Sequence, residues 1–302
     1  MSVTAITLVC NPETQALADD VVDEAINRLL EHGDGAEIMR RTLAEGVAED
    51  FIIDTEMSRR DVEEALSDVV AGAPIDLIVQ PAAKRRKQLL IADMDSTIIG
   101  QECIDELAEF AGLKAEISAI TDCAMRGELD FEAALVERVD MLKGLRESVL
   151  EDAFKTRISL NPGAATLVRT MNTFGATTVL VSGGFTYFVE RVAAIAGFSR
   201  FQANELVIEA GALTGKVRMP ILGRKAKEAA LRASAAELSV PLNETLAVGD
   251  GANDLDMIAA AGLGVAYRAK PKVAAAADAS IVHSDLTALL YAQGLSKSEF
   301  SA

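Results

Sequence analysis

Four short runs constrain this chain more than anything else in it: LLIAD, TTVLVSGG, TLAVGDG and LGVAY. Each is apolar on both alternating faces and leads into a loop and a helix. A strand wetted on one side alternates apolar with polar residues, whereas one that does not alternate is covered on both sides. Such runs, separated by helices, predict a parallel sheet with helices on both faces. Ligands of these sheets gather at the carboxyl ends of the strands. Here those ends read DMDST at 93–97, SGG at 182–184 and GDGANDL at 249–255.

The strand ends bring Asp93, Asp95, Asp250 and Asp254 to one crevice. An unpaired buried carboxylate is costly, and four together would repel and raise one another's pKa. A hard divalent cation resolves the conflict. Mg²⁺ suits the set, since it is content with a few carboxylates, waters and a phosphate. Ser182, Gly183 and Gly184 immediately precede the helical run FTYFVERVAAIAG. Their backbone N–H groups and the positive helix end are placed for an anion, and the glycines leave the approach open. Lys227 offers a positive charge to the same place.

A chain of 302 residues predicts two or three compact units. Its 29 basic and 46 acidic residues give a net charge of −17, which excludes a general nucleic-acid binder and an anionic membrane surface as partners. A small anionic substrate is not excluded, because a few local groups and a bound metal set the field of a site. No run reaches the roughly 18 apolar residues of a membrane span. The start, MSVTAITLVCNPETQ, lacks a signal peptide's basic region and cleavage site, so the cytoplasm is the expected location. Cys10, Cys103 and Cys123 fit neither a disulfide framework nor a zinc site. With only His32 and His283 present, histidine-based triads and metal centres have little to build on.

Residues 1–81 alternate differently. TAITLVC, AEIMRRTL, EDFIID and IDLIVQP read as strands. ETQALADDVVDEAINRLLEHG reads as a helix with apolar Leu17, Val21, Ala25 and Leu29 and a stop at Gly33, and SRRDVEEALSDVVAG as a second helix opened by Ser58. The order βαββαβ is the ferredoxin-like split arrangement. AAKRRKQ, beginning at residue 82, reads as a solvated basic linker over 82–87. The core is expected at 88–100 and 160–302. Between its first two strands, residues 101–159 hold helical runs such as CIDELAEFAGL and FEAALVERVDMLKGL. They are too long for an ordinary connection and read as an inserted helical cap, with Asn161-Pro162-Gly163 marking the return. ANELVIEAGALTGKV reads as a hairpin turning at Glu209-Ala210-Gly211.

The pattern DMDST…SGG…K…GDGAND resembles the haloacid-dehalogenase-type phosphatase superfamily, whose DxDxT signature falls on Asp93, Asp95 and Thr97. Within it, DMDSTIIGQECIDELA, FEAALVERVDMLKGL, VSGGFTYF and AVGDGANDLDMI resemble the phosphoserine phosphatases, over roughly residues 88–295. The resemblance implies hydrolysis of O-phospho-L-serine to serine and phosphate, the last step of serine synthesis. Asp93 is then the nucleophile that forms a phospho-aspartate, and Asp95 the general acid and base. It implies that Asp93, the Asp95 carbonyl and Asp250 hold Mg²⁺, with Asp254 supporting. Ser182, Gly183 and Asn253 bind phosphate, Glu102 the ammonium and Arg138 the carboxylate of the substrate. The family's lysine stands four residues before a helix leucine, which selects Lys227, ahead of Leu231, over Lys225. The N-terminal unit resembles ACT-type regulatory modules, which implies effector binding or a homodimer.

Other readings stand beside these. Thr97 either touches the phosphate or holds its loop. Arg138 shares a helical stripe with Phe131, Leu135 and Leu142, as a snorkelling edge residue or as a buried anion receptor; the resemblance favours the receptor. By spacing alone Glu102 joins Glu106 and Glu109 on a wet acidic face. Phe131 and Met125 either wall the substrate or pack the core. Cys103 and Cys123 read as small buried hydrophobes, and His283 as structural. A phosphatase for another small metabolite, phosphohomoserine for example, and a phospho-acceptor signalling protein are the alternative functions.

Overall fold

The computed structural model describes residues 2–14, 16–32 and 37–301. The first unit runs β1 (Ser2–Cys10), α1 (Asp19–His32), β2 (Ile38–Ala44), β3 (Ala48–Thr55), α2 (Arg59–Ala65), α3 (Ser67–Val70) and β4 (Ile75–Pro81). Its antiparallel sheet has the order β2-β3-β1-β4, which is the split βαββαβ arrangement read from the sequence. Two helices differ from expectation. α1 starts at Asp19, because the Asn11 side chain accepts the Glu13 N–H at 2.9 Å and holds a turn before it. Leu17 therefore packs from a loop, and the buried helix face is Val22, Ala25 and Leu29, with Val21 half-buried. The expected stop, Gly33, lies outside the described residues. Ser58 does open the second helix, through a reciprocal capping box with Asp61. That helix breaks at Leu66, where the Ser67 hydroxyl donates to the Glu64 carbonyl at 2.7 Å and competes with the backbone ladder.

The larger unit begins with β5 (Leu89–Ala92), followed by α4 (Cys103–Ala111), α5 (Lys114–Met125), α6 (Phe131–Met141), α7 (Ser148–Arg157) and α8 (Ala164–Thr173). Then come β6 (Thr177–Phe185), α9 (Thr186–Ala196), β7 (Arg200–Asn204), β8 (Leu206–Glu209), β9 (Ala212–Val217) and α10 (Arg224–Glu237). The chain closes with β10 (Thr245–Gly249), α11 (Leu255–Ala260), β11 (Leu263–Tyr267), α12 (Pro271–Ala274), β12 (Ala279–Ile281) and α13 (Ala288–Ala292). Six strands form a parallel sheet in the order β12-β11-β10-β5-β6-β7. Ala92 pairs with Val248 on one side and Leu180 on the other. That register brings the chemistry-bearing ends of β5, β6 and β10 level. The edge strand β12 has only three residues, and the other edge strand, β7, is exposed at Phe201 and Gln202. Neither carries the apolar signature that marks the other four.

Helices α4 to α7 rise over the carboxyl ends of the sheet. Their two connections pair with each other at Ile99 and Leu160. The β8–β9 hairpin leans on them, with the Gly144 N–H donating to the Leu213 carbonyl at 2.8 Å. No helix among the described residues is long and apolar enough to cross a membrane.

The basic linker is not the solvated tether expected. Arg85 makes two hydrogen bonds to Asp50, at 2.9 and 2.8 Å, and Asp50 is buried. Lys87 is also buried and donates to the Asn243 carbonyl at 3.0 Å. A buried Asp50 needs a counter-charge, and the linker supplies it. One face of the N-terminal sheet carries α1 and α2, while Val9, Leu43, Val47 and Ile78 join the apolar core of the larger unit.

Candidate active site

Asp93 follows directly on β5, anchored by its N–H to the Val248 carbonyl at 3.0 Å. The chain then turns sharply through Met94–Ile98, with Ser96 at a φ of 55°, a left-handed conformation uncommon for a side-chain-bearing residue. There the Ser96 hydroxyl donates to Glu102 Oε1 at 2.6 Å. Asp250 stands at the end of β10 and Asp254 one short turn later.

Oxygens of Asp93, Asp250 and Asp254 lie within 4.8 Å of one another, and all three residues are buried. Lys227 Nζ reaches Asp93 Oδ1 at 2.7 Å and Asp254 Oδ1 at 2.6 Å, and its side chain is 0% exposed. Lys225 is exposed on the same helix, so the geometry settles the lysine that joins the cluster. Three carboxylates facing one ammonium leave two negative charges uncompensated. Burial, then Asp254, pushes the Asp250 carboxyl up to about 7, and burial holds Asp93 well above the usual range. Burial pulls Lys227 down, yet Asp254 and Asp93 more than offset it and keep it above its ordinary value. A cluster short of two positive charges, built of hard oxygen donors, fits a divalent cation.

Asp95 does not point into this cluster. Its Oδ1 accepts the Cys103 N–H at 2.8 Å and its Oδ2 the Ser182 hydroxyl at 3.0 Å. Burial raises its pKa although those bonds pull it down. Three of the four carboxylates thus face the cation position, while that of Asp95 lines the adjoining cavity. The Thr97 hydroxyl donates to Asp250 Oδ1 at 3.1 Å and steadies that carboxylate.

The SGG segment also differs from expectation. β6 continues through Phe185 before α9 begins, and the Gly184 N–H donates to Ser182 Oγ at 2.8 Å. It is thus not among the donors facing outward. The glycines are needed for close approach: a Cβ on Gly183 would stand 2.3 Å from the Phe131 ring, and one on Gly184 would stand 2.8 Å from Asp95 Oδ2. Asn204, which the sequence reading passed over, donates to the Gly183 carbonyl at 2.8 Å and accepts the Leu222 N–H at 2.7 Å. It sits at the end of the unrecognised β7 and carries no motif.

A cavity of about 30 Å³ opens beside the cluster, room for roughly two waters. Asp93, Asp95, Gly183, Gly184 and Asn253 line it together with Glu102, Arg138, Met125 and Phe131. Asn253 Oδ1 is buried there with no hydrogen-bond partner among the described residues. Arg138 is 2% exposed, with Nε donating to the Ala134 carbonyl at 3.0 Å and Nη1 to Thr121 Oγ1 at 2.8 Å. Among the described residues no carboxylate comes within 4.0 Å of it, and burial lowers its pKa. It is therefore no snorkelling edge residue. Glu102 is no part of a wet face: it precedes α4, turned into the cavity, while Glu106 and Glu109 pair with Lys114. Burial, then Asp95, pushes Glu102 well up. Phe131 and Met125 are walls of the cavity. Cys103 is buried as expected, but Cys123 is only half-buried, and His283 meets the fold through its backbone N–H.

Comparison with known proteins agrees with this geometry. Residues 90–259 match the haloacid dehalogenase-like hydrolase family. The chain is 43% identical over 240 residues to a phosphoserine phosphatase of Mycobacterium tuberculosis, covering 79% of this chain and 58% of that protein. It is 44% identical over 207 residues to a phosphoserine phosphatase of Idiomarina loihiensis, covering 68% of this chain and 94% of the other. A crystal structure of a haloacid dehalogenase-family hydrolase from Salmonella enterica superposes with a TM-score of 0.83 at 29% identity, over 96% of this chain and 98% of that one. The matched residues span Asp93, Lys227, Asp250 and Asp254: the chain is a member of the haloacid dehalogenase-like hydrolase family.

Proposed function

We propose that this chain hydrolyses O-phospho-L-serine to L-serine and inorganic phosphate. One observation carries the choice of substrate: the buried Arg138 guanidinium, without a carboxylate partner, shares a cavity with Asp93. A buried cation with free N–H donors is costly unless an anion arrives with the ligand. Glu102 in the same cavity supplies the complement for an ammonium. An acid able to attack phosphorus, a cation and an anion lining one cavity describe a site for a phosphorylated amino acid.

In this reading Asp93 attacks phosphorus, the bond from phosphorus to the serine oxygen breaks, and Asp95 delivers a proton to that oxygen. Asp95 then takes a proton from water as the water attacks the phospho-aspartate, releasing phosphate and restoring Asp93. Lys227, 2.7 Å from Asp93 Oδ1, favours the anionic nucleophile and faces the charge of the transferring group. Gly183 and Asn253, which line the cavity, receive the phosphoryl oxygens, and Ser182 joins them once its hydroxyl turns from Asp95. Mg²⁺ is the proposed cation, held by Asp93, Asp250 and the Asp95 carbonyl with Asp254 beside them, and it supplies charge neutralisation when bound. The small cavity requires residues 101–159 to open before substrate enters.

Residues 1–81 are proposed as the regulatory or dimerising part, 82–87 as the link, 88–100 with 160–302 as the catalytic core, and 101–159 as the substrate-selecting cap. Edge strand β2, with Met39 exposed, offers a surface for a homodimer. The three cysteines are free, which suits the cytoplasm.

The test is phosphate release from phosphoserine, phosphohomoserine, phosphothreonine and sugar phosphates. Phosphoserine is expected to give the highest kcat/KM, and Asp93→Asn to lower it by ~10⁴-fold or more. Undiminished release by the purified Asp93→Asn protein would remove the mechanism, and preference for a sugar phosphate would remove the substrate.

A further inference from the structure

Arg138 is oriented by a network of buried and half-buried side chains that the reaction itself does not use. Thr121 Oγ1 accepts from Arg138 Nη1 at 2.8 Å, so its single proton goes to an acceptor: Asp105 Oδ1 at 2.7 Å, charged and nearer than the Ile117 carbonyl at 3.0 Å. The second oxygen of Asp105 accepts the Ser118 hydroxyl at 2.7 Å. The chain of bonds crosses three helices, with Asp105 on α4, Ser118 and Thr121 on α5 and Arg138 on α6. Thr121 is 3% exposed. It lies on the buried stripe of α5 with Ile117, Ala124 and Met125, the only polar side chain on that stripe.

We infer that Thr121 and Asp105 are positioning residues that hold Arg138 for the carboxylate end of the substrate, and so set the preference for carboxylate-bearing phosphomonoesters. This rests on the reading of Arg138 given above. A carboxylate bonded directly to the guanidinium would compensate its charge but occupy the fork that a substrate carboxylate needs. Placed one hydroxyl away, the Asp105 charge stabilises the buried cation and leaves Nη2 free of any hydrogen bond among the described residues. The Thr121 hydroxyl fixes the rotation of the guanidinium plane, and the Ala134 carbonyl fixes its stem. Neither residue touches the phosphoryl end.

The experiment compares kcat/KM for phosphoserine with that for O-phosphoethanolamine, which keeps the phosphate and the ammonium and lacks the carboxylate. Thr121→Val removes the hydroxyl at nearly constant volume. It is expected to lower the phosphoserine-to-phosphoethanolamine ratio by about 10-fold, chiefly through the KM for phosphoserine. Thr121→Ser, which restores the hydroxyl, is expected to hold the ratio within about 2-fold of the unaltered protein. If Thr121→Val does not fold, Asp105→Asn reads the same ratio, with the charge removed and only one of the two acceptor oxygens kept, and a fall is again expected. Equal losses on both substrates would make the network plain structural glue and overturn the inference, as would an unchanged ratio. An unaltered protein with no preference for phosphoserine would overturn the reading of Arg138 and this inference with it. A clear preference in the unaltered protein that Thr121→Val leaves undiminished would overturn this inference alone.

Discussion

At the scale of single residues, the site is governed by charge that the protein alone does not balance. The Asp250 carboxyl, raised to about 7 by burial and then by Asp254, has an unfolded value near ~3.9. The folded state therefore holds a proton that the unfolded state releases between those values. Its contribution to stability is complete below about 4 and is lost as pH rises through about 7. Asp250→Asn has nothing to titrate there. In chelator-treated protein, the stability of Asp250→Asn relative to the unaltered chain is expected to rise by about 2–4 kcal/mol from pH 4 to pH 8. Urea unfolding across that range measures it, and a pH-independent difference would contradict the assignment. Added Mg²⁺ is expected to stabilise the unaltered chain more at pH 8 than at pH 5, because the cation competes with that proton. Motif and strand end together made Asp93 and Asp250 legible in the sequence, and the family's lysine spacing picked out Lys227. The direction of the Asp95 side chain was not, since it depends on the Cys103 N–H and Ser182, eight and 87 residues away. Thr121 and Asp105 were hidden for a like reason: their partners lie on other helices, and only the three-dimensional packing of α4, α5 and α6 makes them neighbours.

At the scale of elements, legibility followed burial. The strands covered on both faces are apolar throughout and declare themselves, whereas β7 and β12 lie at sheet edges with mixed residues and are held by one neighbour each. Asn204 went unseen with β7. The turn Asn161-Pro162-Gly163 was readable because its residue types leave few conformations. The structure adds what the sequence could not contain, which is the partner it turns against. Gly163 has φ +81°, and a Cβ there would lie 2.7 Å from the Thr287 nitrogen and 3.0 Å from the Leu286 nitrogen. Both are backbone atoms of the segment before α13, so no side-chain rotation relieves the contact. Gly163→Ala is accordingly expected to lose about 2–4 kcal/mol, combining left-handed strain with overpacking. The midpoint of chemical unfolding reports it. A loss near that of a surface substitution would mean that the return from the cap tolerates displacement.

At the scale of the whole molecule, the N-terminal sheet is fastened to the catalytic unit by a carboxylate. Asp76 on β4 is 4% exposed and accepts the backbone N–H groups of Val282, His283 and Ser284, at 2.8 to 3.2 Å. Gln80 on the same strand donates to the Ala292 carbonyl at 2.7 Å, and Arg41 to the Gly294 carbonyl at 3.2 Å. These polar anchors accompany the apolar contact made by Val9, Leu43, Val47 and Ile78. The sequence could not disclose this fastening, because Asp76 opens the strand IDLIVQP as an ordinary strand-end acid would, and its three donors lie more than 200 residues further on. Hydrogen bonds to a charged group are worth about 1.5–3 kcal/mol each, and less where water can replace the acceptor. Val282 and His283 are exposed, so their donors are readily solvated, while the buried Ser284 N–H is not. Asp76→Ala is thus expected to cost about 2–4 kcal/mol in total and to leave turnover per folded molecule as it was. The residues that break away first should be those of the N-terminal sheet, opening the 82–87 segment to protease before the catalytic unit unfolds. Limited proteolysis across a urea series distinguishes the outcomes. Cleavage at 82–87 ahead of loss of activity follows if Asp76 fastens one unit to the other. Coincident loss of both at an unchanged midpoint would show the apolar contact to be sufficient by itself.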